Sequence, residues 1–277
     1  MAYNTRTLTN KDQQELHIHH WSVPQPIAQL VIVHGFAEHG YRYEHVGRAL
    51  NEANIEVYSY DHRGHGKSGG LQSYVDRFKD YTDDLSAVLH AYKPNGIPQF
   101  LFGHSMGGLI SVNYCVNYDE STDLAGLITS GAALKIDKDL SPVLQKLAPL
   151  LSKLLPKLKT EPLEKATLTR SPEVLDAYMK DPLVYTGGIR ARLGAELLAA
   201  IKRTDVKFDQ LTLPYLGMHG MAEKIADPAG TKELYERCQS SDKTIKLYED
   251  LYHELVNEPE REGVIQDLKD WILERIK

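Results

Sequence analysis

The stretch "PQFLFGHSMGGLI" constrains this chain more than any other. An apolar run enters a turn of glycines around one serine, and a helical pattern, "MGGLISVNYCVNY", leaves it. Gly103, Ser105 and Gly107 satisfy G-x-S-x-G, and the glycines permit a sharp, strained strand-to-helix turn. Such a turn pushes the Ser105 hydroxyl out at the carboxyl edge of a sheet. It also sets the Met106 N–H, at the helix start, beside any oxyanion forming there. A glycine-rich turn with an incidental serine would not need both a strand before it and a helix after it.

The rest of the chain supplies a sheet for that unit. Short strand-like runs occur at 28–35, 55–61, 98–105, 124–131, 213–220 and 243–250, and those such as "QLVIVHG" and "FLFGHS" are apolar almost throughout, as in strands covered on both faces. Amphipathic segments lie between them, from "YEHVGRALNEA" at 43–53 to "REGVIQDLKDWILERIK" at 261–277. This alternation predicts an α/β fold with a mostly parallel sheet flanked by helices. "TRTLT" and "ELHIHHWSV", joined by "NKDQ", read as an opening hairpin, with His17, His19 and His20 at solvated strand positions.

The rhythm breaks between 134 and 206, where helical patterns run without a strand. Val143, Leu144, Leu147, Leu150, Leu151, Leu154, Leu155 and Leu158 fall at helical spacing, with Lys146, Lys153 and Lys157 on the other side. Pro149 and Pro156 are expected to bend or divide that helix. The expected organisation is a core over 1–133, a helical cap inserted between two late strands over 134–206, and the rest of the core over 207–277.

A chain of 277 residues needs no staples, since one of about 300 buries roughly 75% of its unfolded surface. A net charge of −6 without Lys/Arg blocks excludes nucleic acid as the expected partner. Two cysteines, Cys115 and Cys238, form no spaced framework and suit a reducing compartment. The opening "MAYNTRTLTNKDQQELHIHH" has no apolar signal core, and no run of about 18 apolar residues occurs. The expected location is cytoplasmic, with peripheral membrane contact through the cap as the variant.

Serine is a weak nucleophile unless a base takes its proton. Of the 12 histidines, His253 follows the last strand in the short loop "YEDLYHELVNEP" and obeys the chain order Ser…acid…His. His62 and His65 belong to a turn, His104 adjoins the serine, and His90 lies in a helical pattern. "VIVHGFAEHG" ends an earlier strand, and its Phe36 N–H is the candidate second oxyanion donor. Two carboxylates, Glu223 and Asp227, follow "LPYLGMHG" and could orient the histidine. Asp227 stands before Pro228 and a helical run, where an aspartate is a common N-cap. "DHRGHGKSGG" carries Asp61 where a phosphate loop would need glycine, so no nucleotide site is expected.

The set "HGFAEHGYRY", "DHRGHGKSGG", "GHSMGG", "DPLVYTGGIRARLGAELL" and "KLYEDLYHELVNEP" resembles the monoacylglycerol lipase and lysophospholipase family of α/β-hydrolases, from about 28 to 260 with the cap included. The resemblance implies Ser105 as nucleophile, His253 as base, and the Phe36 and Met106 amides as oxyanion hole. It sets Glu38 and Arg42 near the polar head of a substrate. In "HGxxDxIxxP" the family usually has aspartate where Glu223 stands here. Glutamate does the same work with roughly 1.5 Å more reach. Asp227 remains the alternative, and Asp137 a more remote one. The implied activity is hydrolysis of lipid-like carboxylic esters, monoacylglycerol first, with no metal or organic cofactor. Lysophospholipase and simple carboxylesterase activities are the rivals, and a non-catalytic binding protein is a third. The leucine-rich cap would line an acyl tunnel and touch a lipid surface, or else pack on the core with solvated lysines.

Overall fold

In a computed structural model of the chain, residues 2–136, 141–160 and 167–276 are described. Asp137 and parts of the 134–206 segment lie outside the described residues. Strands β1 (Ala2–Thr9) and β2 (Glu15–Ser22) form the expected hairpin. They are followed by β3 (Ala28–Val33), α1 (Glu44–Asn51), β4 (Ile55–Tyr60) and α2 (Phe78–Ala91). Then come β5 (Gln99–His104), α3 (Met106–Cys115) and β6 (Gly126–Ser130). Three helices, α4 (Pro142–Leu154), α5 (Pro172–Lys180) and α6 (Ala191–Asp205), separate β6 from β7 (Tyr215–Gly220). The chain closes through α7 (Pro228–Arg237), β8 (Lys243–Tyr248) and α8 (Arg261–Leu273).

The eight strands form one sheet in the order β1-β2-β4-β3-β5-β6-β7-β8. β1, β2 and β4 pair antiparallel, and every pairing from β4 through β8 is parallel. Alternation along the strands divides the core, because successive side chains point to opposite faces. Val31, Val33 and Leu101 pack with Leu85 of α2 and Leu109 of α3. Leu30, Ile32, Phe100 and Phe102 pack on the other face with Val46 of α1 and Leu268 of α8. Both faces are covered, which is why these strands read as unbroken apolar runs.

The hairpin corrects one expectation. His19 and His20 are only 2% and 6% exposed, not solvated. β2 is an inner strand between β1 and β4, and Ile18 to Trp21 are buried on both of its faces. His19 Nε2 pairs with Asp61 at 2.9 Å, and His20 Nε2 with Glu56 at 2.8 Å while its ring stacks on Tyr58. Burial is tolerated because each ring keeps a carboxylate partner.

Of the two prolines in the leucine-rich segment, Pro149 lies inside α4, whereas Pro156 follows its end. α4 packs against α6, yet Val143, Leu147, Leu150 and Leu154 are exposed, as are Leu155 and Leu158 beyond it. Among the described residues no helix is long and apolar enough to cross a membrane.

Candidate active site

Ser105 adopts φ 53° and ψ −117°, a left-handed backbone conformation rare for a residue with a side chain. Its N–H donates to Ser130 O at 3.0 Å, and its carbonyl accepts from Leu109 and Ala133 N–H groups. The flanking glycines are sterically required. A Cβ on Gly107 would stand 2.1 Å from Val33 O, and one on Gly103 2.6 Å from Gly107 O. Met106 is the first residue of α3, so its N–H is one of the helix donors without an intrahelical acceptor.

The loop after β3 closes on the same edge. Gly35 N–H donates to Glu38 Oε1 at 2.6 Å, and His34 Nδ1 donates to Gly35 O at 2.7 Å. With that tautomer, His34 Nε2 accepts from the His62 N–H at 2.9 Å, and His62 Nε2 donates back to His34 O. Burial pushes the His62 imidazole down to about 3, so it stays neutral in this contact. The Phe36 ring lies edge-on to His65 and Tyr185, and the Tyr185 N–H donates to Ala37 O. The loop is thereby held from the β4 side and from the segment between β6 and β7 at once.

β7 and β8 run parallel to β5, so the loops after them arrive at this edge too. His253 Nδ1 donates to Glu223, 2.9 Å from Oε2 and 3.1 Å from Oε1. Glu223 Oε1 also accepts the Ile225 and Ala226 N–H groups at 2.9 and 2.5 Å. His219 Nε2 lies 3.0 Å from Glu223 Oε2 and donates to Ala226 O at 3.1 Å. Burial pushes the Glu223 carboxyl up, but the charges and hydrogen bonds of His253 and His219 outweigh it and hold it well below the usual range. Burial pushes His253 down, and the Glu223 charge and hydrogen bond reverse that, leaving it above 6.5. Gly131, at φ +53°, leaves the room: a Cβ there would stand 3.2 Å from Glu223 Oε2. Asp227 is elsewhere, as N-cap of α7, accepting the Ala229 N–H at 2.9 Å.

Ser105, His253, Phe36, Glu38 and Glu254 line one cleft with about 520 Å³ of empty space, together with His104, Tyr178 and Tyr185. His104 Nδ1 donates to Ser130 O, and its ring is 4.7 Å from that of His253. Arg42 is outside that lining. Its guanidinium bonds to Glu38 at 2.8 Å and to both Glu254 oxygens at 2.7 Å, with a side chain only 9% exposed. Sequence reasoning missed Glu254, Tyr178 and His219. The available signals were slight: a carboxylate directly after His253, and a histidine ending the strand that leads to Glu223.

A mostly parallel sheet with a strained serine turn after its central strand defines an α/β-hydrolase. The model of the family described as serine aminopeptidase, S33, matches residues 24–260. A monoacylglycerol lipase of Mycolicibacterium smegmatis is 34% identical over 253 residues, 91% of this chain and 90% of that one. A human monoglyceride lipase is 32% identical over 97% of this chain and 90% of its own length. The crystal structure of a Paleococcus ferrophilus monoacylglycerol lipase superposes with a TM-score of 0.84 at 26% identity, covering 99% of this chain and 100% of the other. The chain belongs to the monoacylglycerol lipase family of α/β-hydrolases.

The His253–Glu223 contact has a measurable signature. A histidine-resolved NMR titration should give His253 a midpoint above 6.5, the ordinary imidazole value. Glu223→Gln keeps the shape but loses the charge, so the midpoint should fall, with Glu254 and Glu38 still opposing burial. A midpoint indifferent to the substitution would remove Glu223 as its cause.

Proposed function

We propose that the chain is a serine hydrolase of lipid carboxylic esters, with monoacylglycerol as the preferred class. One observation carries this reading: Ser105 and His253 share a cleft, and the His253 Nδ1–H is committed to Glu223 at 2.9 Å. That commitment leaves the His253 Nε2 lone pair as the base. Ser105 Oγ attacks the ester carbonyl while Nε2 takes its proton. The Phe36 and Met106 amides hold the oxyanion, and His253 then protonates the departing glycerol oxygen. Water repeats the sequence on the acyl-enzyme and frees the fatty acid. Because His253 must be neutral to act, the rate rises with pH through its raised midpoint.

Relatives named for monoacylglycerol and monoglyceride support the substrate class. We assign α4 to α6 to a cap over the cleft. A second cavity between α4 and α6, with about 940 Å³ of empty space, is lined mainly by apolar residues such as Leu151, Ile189 and Leu197 and suits an acyl chain. The exposed side chains of Val143, Leu147, Leu150 and Leu154 suit transient contact with a lipid surface.

Release of fatty acid from monoacylglycerol tests the reading, and two substitutions divide its parts. Glu223→Gln should cost up to ~10⁴ in kcat, as loss of a triad carboxylate does elsewhere. Asp227→Asn should keep kcat and change only stability, by up to about 1 kcal/mol, since asparagine also caps. The reverse pattern would make Asp227 the acid. For the cap, Leu150→Ser combined with Leu154→Ser should weaken flotation with phosphatidylcholine vesicles while preserving turnover of p-nitrophenyl butyrate. Undiminished flotation would remove α4 as the contact.

A further inference from the structure

The polar end of the cleft has a charge that the hydrolase chemistry does not require. Glu38 and Glu254 both line it, whereas Arg42, the cation paired with both, is not part of the lining and its side chain is only 9% exposed. Arg42 Nη1 donates to Glu38 Oε2 and Glu254 Oε1, and Nη2 donates to Glu254 Oε2. Tyr178 covers the guanidinium, its ring centroid 4.7 Å from Cζ. An incoming anion would have to break a bidentate carboxylate pair to reach this arginine, and such pairs are among the stronger polar contacts. Two carboxylates against one guanidinium leave the wall with a net charge of −1.

The remaining neighbours do not restore positive charge. Burial pushes His104 down and His253 adds to the effect, so His104 contributes a neutral ring. His253 is matched by Glu223 behind it. Burial pushes the Glu254 carboxyl up, but Arg42 holds it at about 2, so it is ionised at neutral pH. Acceptor capacity remains on the wall. Glu38 Oε2 and Glu254 Oε1 each accept a hydrogen bond from Arg42 Nη1, and a carboxylate oxygen accepts two.

From this geometry we infer that Glu254 is a specificity-determining residue: by neutralising Arg42 it makes the leaving-group end of the cleft accept an uncharged polyol and reject a phosphate-bearing one. Hydroxyl groups donate to the free carboxylate positions, whereas a phosphate, at −1.5 to −2 near pH 7, brings only acceptors and like charge. The inference rests on the ester-hydrolase reading above and narrows its substrate class.

The test compares two esters with the same acyl chain at the same glycerol position, lauroylglycerol and lauroyl lysophosphatidate. The leaving groups differ by one phosphate, and the charge-altering variants and the salt dependence separate its charge from its bulk. The wild-type kcat/KM should favour the neutral ester by about 100-fold, since like-charge juxtaposition costs several kcal/mol. Glu254→Gln frees half of the Arg42 pairing and removes one negative charge, so the ratio should contract by about tenfold. Arg42→Gln should widen it. Because the ratio is taken within one variant, a general loss of activity cancels. Should neither variant fold, wild-type salt dependence decides: the lysophosphatidate rate should rise with ionic strength while the lauroylglycerol rate stays flat. Equal wild-type rates, a ratio unmoved by Glu254→Gln, or no difference in salt dependence would overturn the inference. Failure to cleave either ester, or p-nitrophenyl butyrate, would instead sink the hydrolase reading beneath it.

Discussion

The backbone at Ser105 is the constraint on which the carboxyl edge of the sheet depends. A serine at φ 53° costs about 1–3 kcal/mol and persists only where its surroundings over-determine it. Here they do so from three directions. β5 is paired on both sides by β3 and β6, the Ser130 carbonyl takes the Ser105 N–H, and α3 presses so closely on β3 that position 107 has no room for a side chain. Parallel pairing then delivers the other groups. The loops after β3, β7 and β8 end on the same edge as the turn, so Phe36, Glu223 and His253 meet there despite their separation in the chain.

Much of this is legible in the sequence, for identifiable reasons. Strands covered on both faces are apolar without a break, and the G-x-S-x-G turn needs the strand and helix that flank it. The Asp227-Pro228 start of α7 is a local signal and can be read locally. The remainder depends on distant partners. Nothing in "HIHH" reveals that Asp61 and Glu56 receive His19 and His20, because those pairs form only when β2 joins β4. Arg42 and Glu254 stand 212 residues apart, so their pairing has no sequence signature. Leucine spacing in α4 predicts an apolar face but not what covers it, and in the structure much of that face is uncovered.

Glu223 shows how a glutamate side chain fits against the histidine of this edge. The added methylene is accommodated by Gly131, whose missing Cβ leaves space beside the carboxylate. Two backbone amides hold Oε1 and His219 lies 3.0 Å from Oε2, so both oxygens that His253 approaches have a second neighbour. A flexible glutamate would lose more rotamer freedom on ordering than an aspartate, and these contacts offset that loss. The same carboxylate takes the Nδ1–H of His253 and so fixes the tautomer that leaves Nε2 unprotonated.

Covalent labelling of the native protein by a fluorophosphonate, followed by peptide mass spectrometry, probes this arrangement most directly. Such a reagent needs an activated serine beside an oxyanion site, so it reports the assembled geometry rather than any one residue. A single adduct on the peptide carrying Ser105, lost in Ser105→Ala and on unfolding, is the outcome expected. A folded protein that takes up no label, or carries it on another serine, would contradict the assignment of this edge as the reactive site.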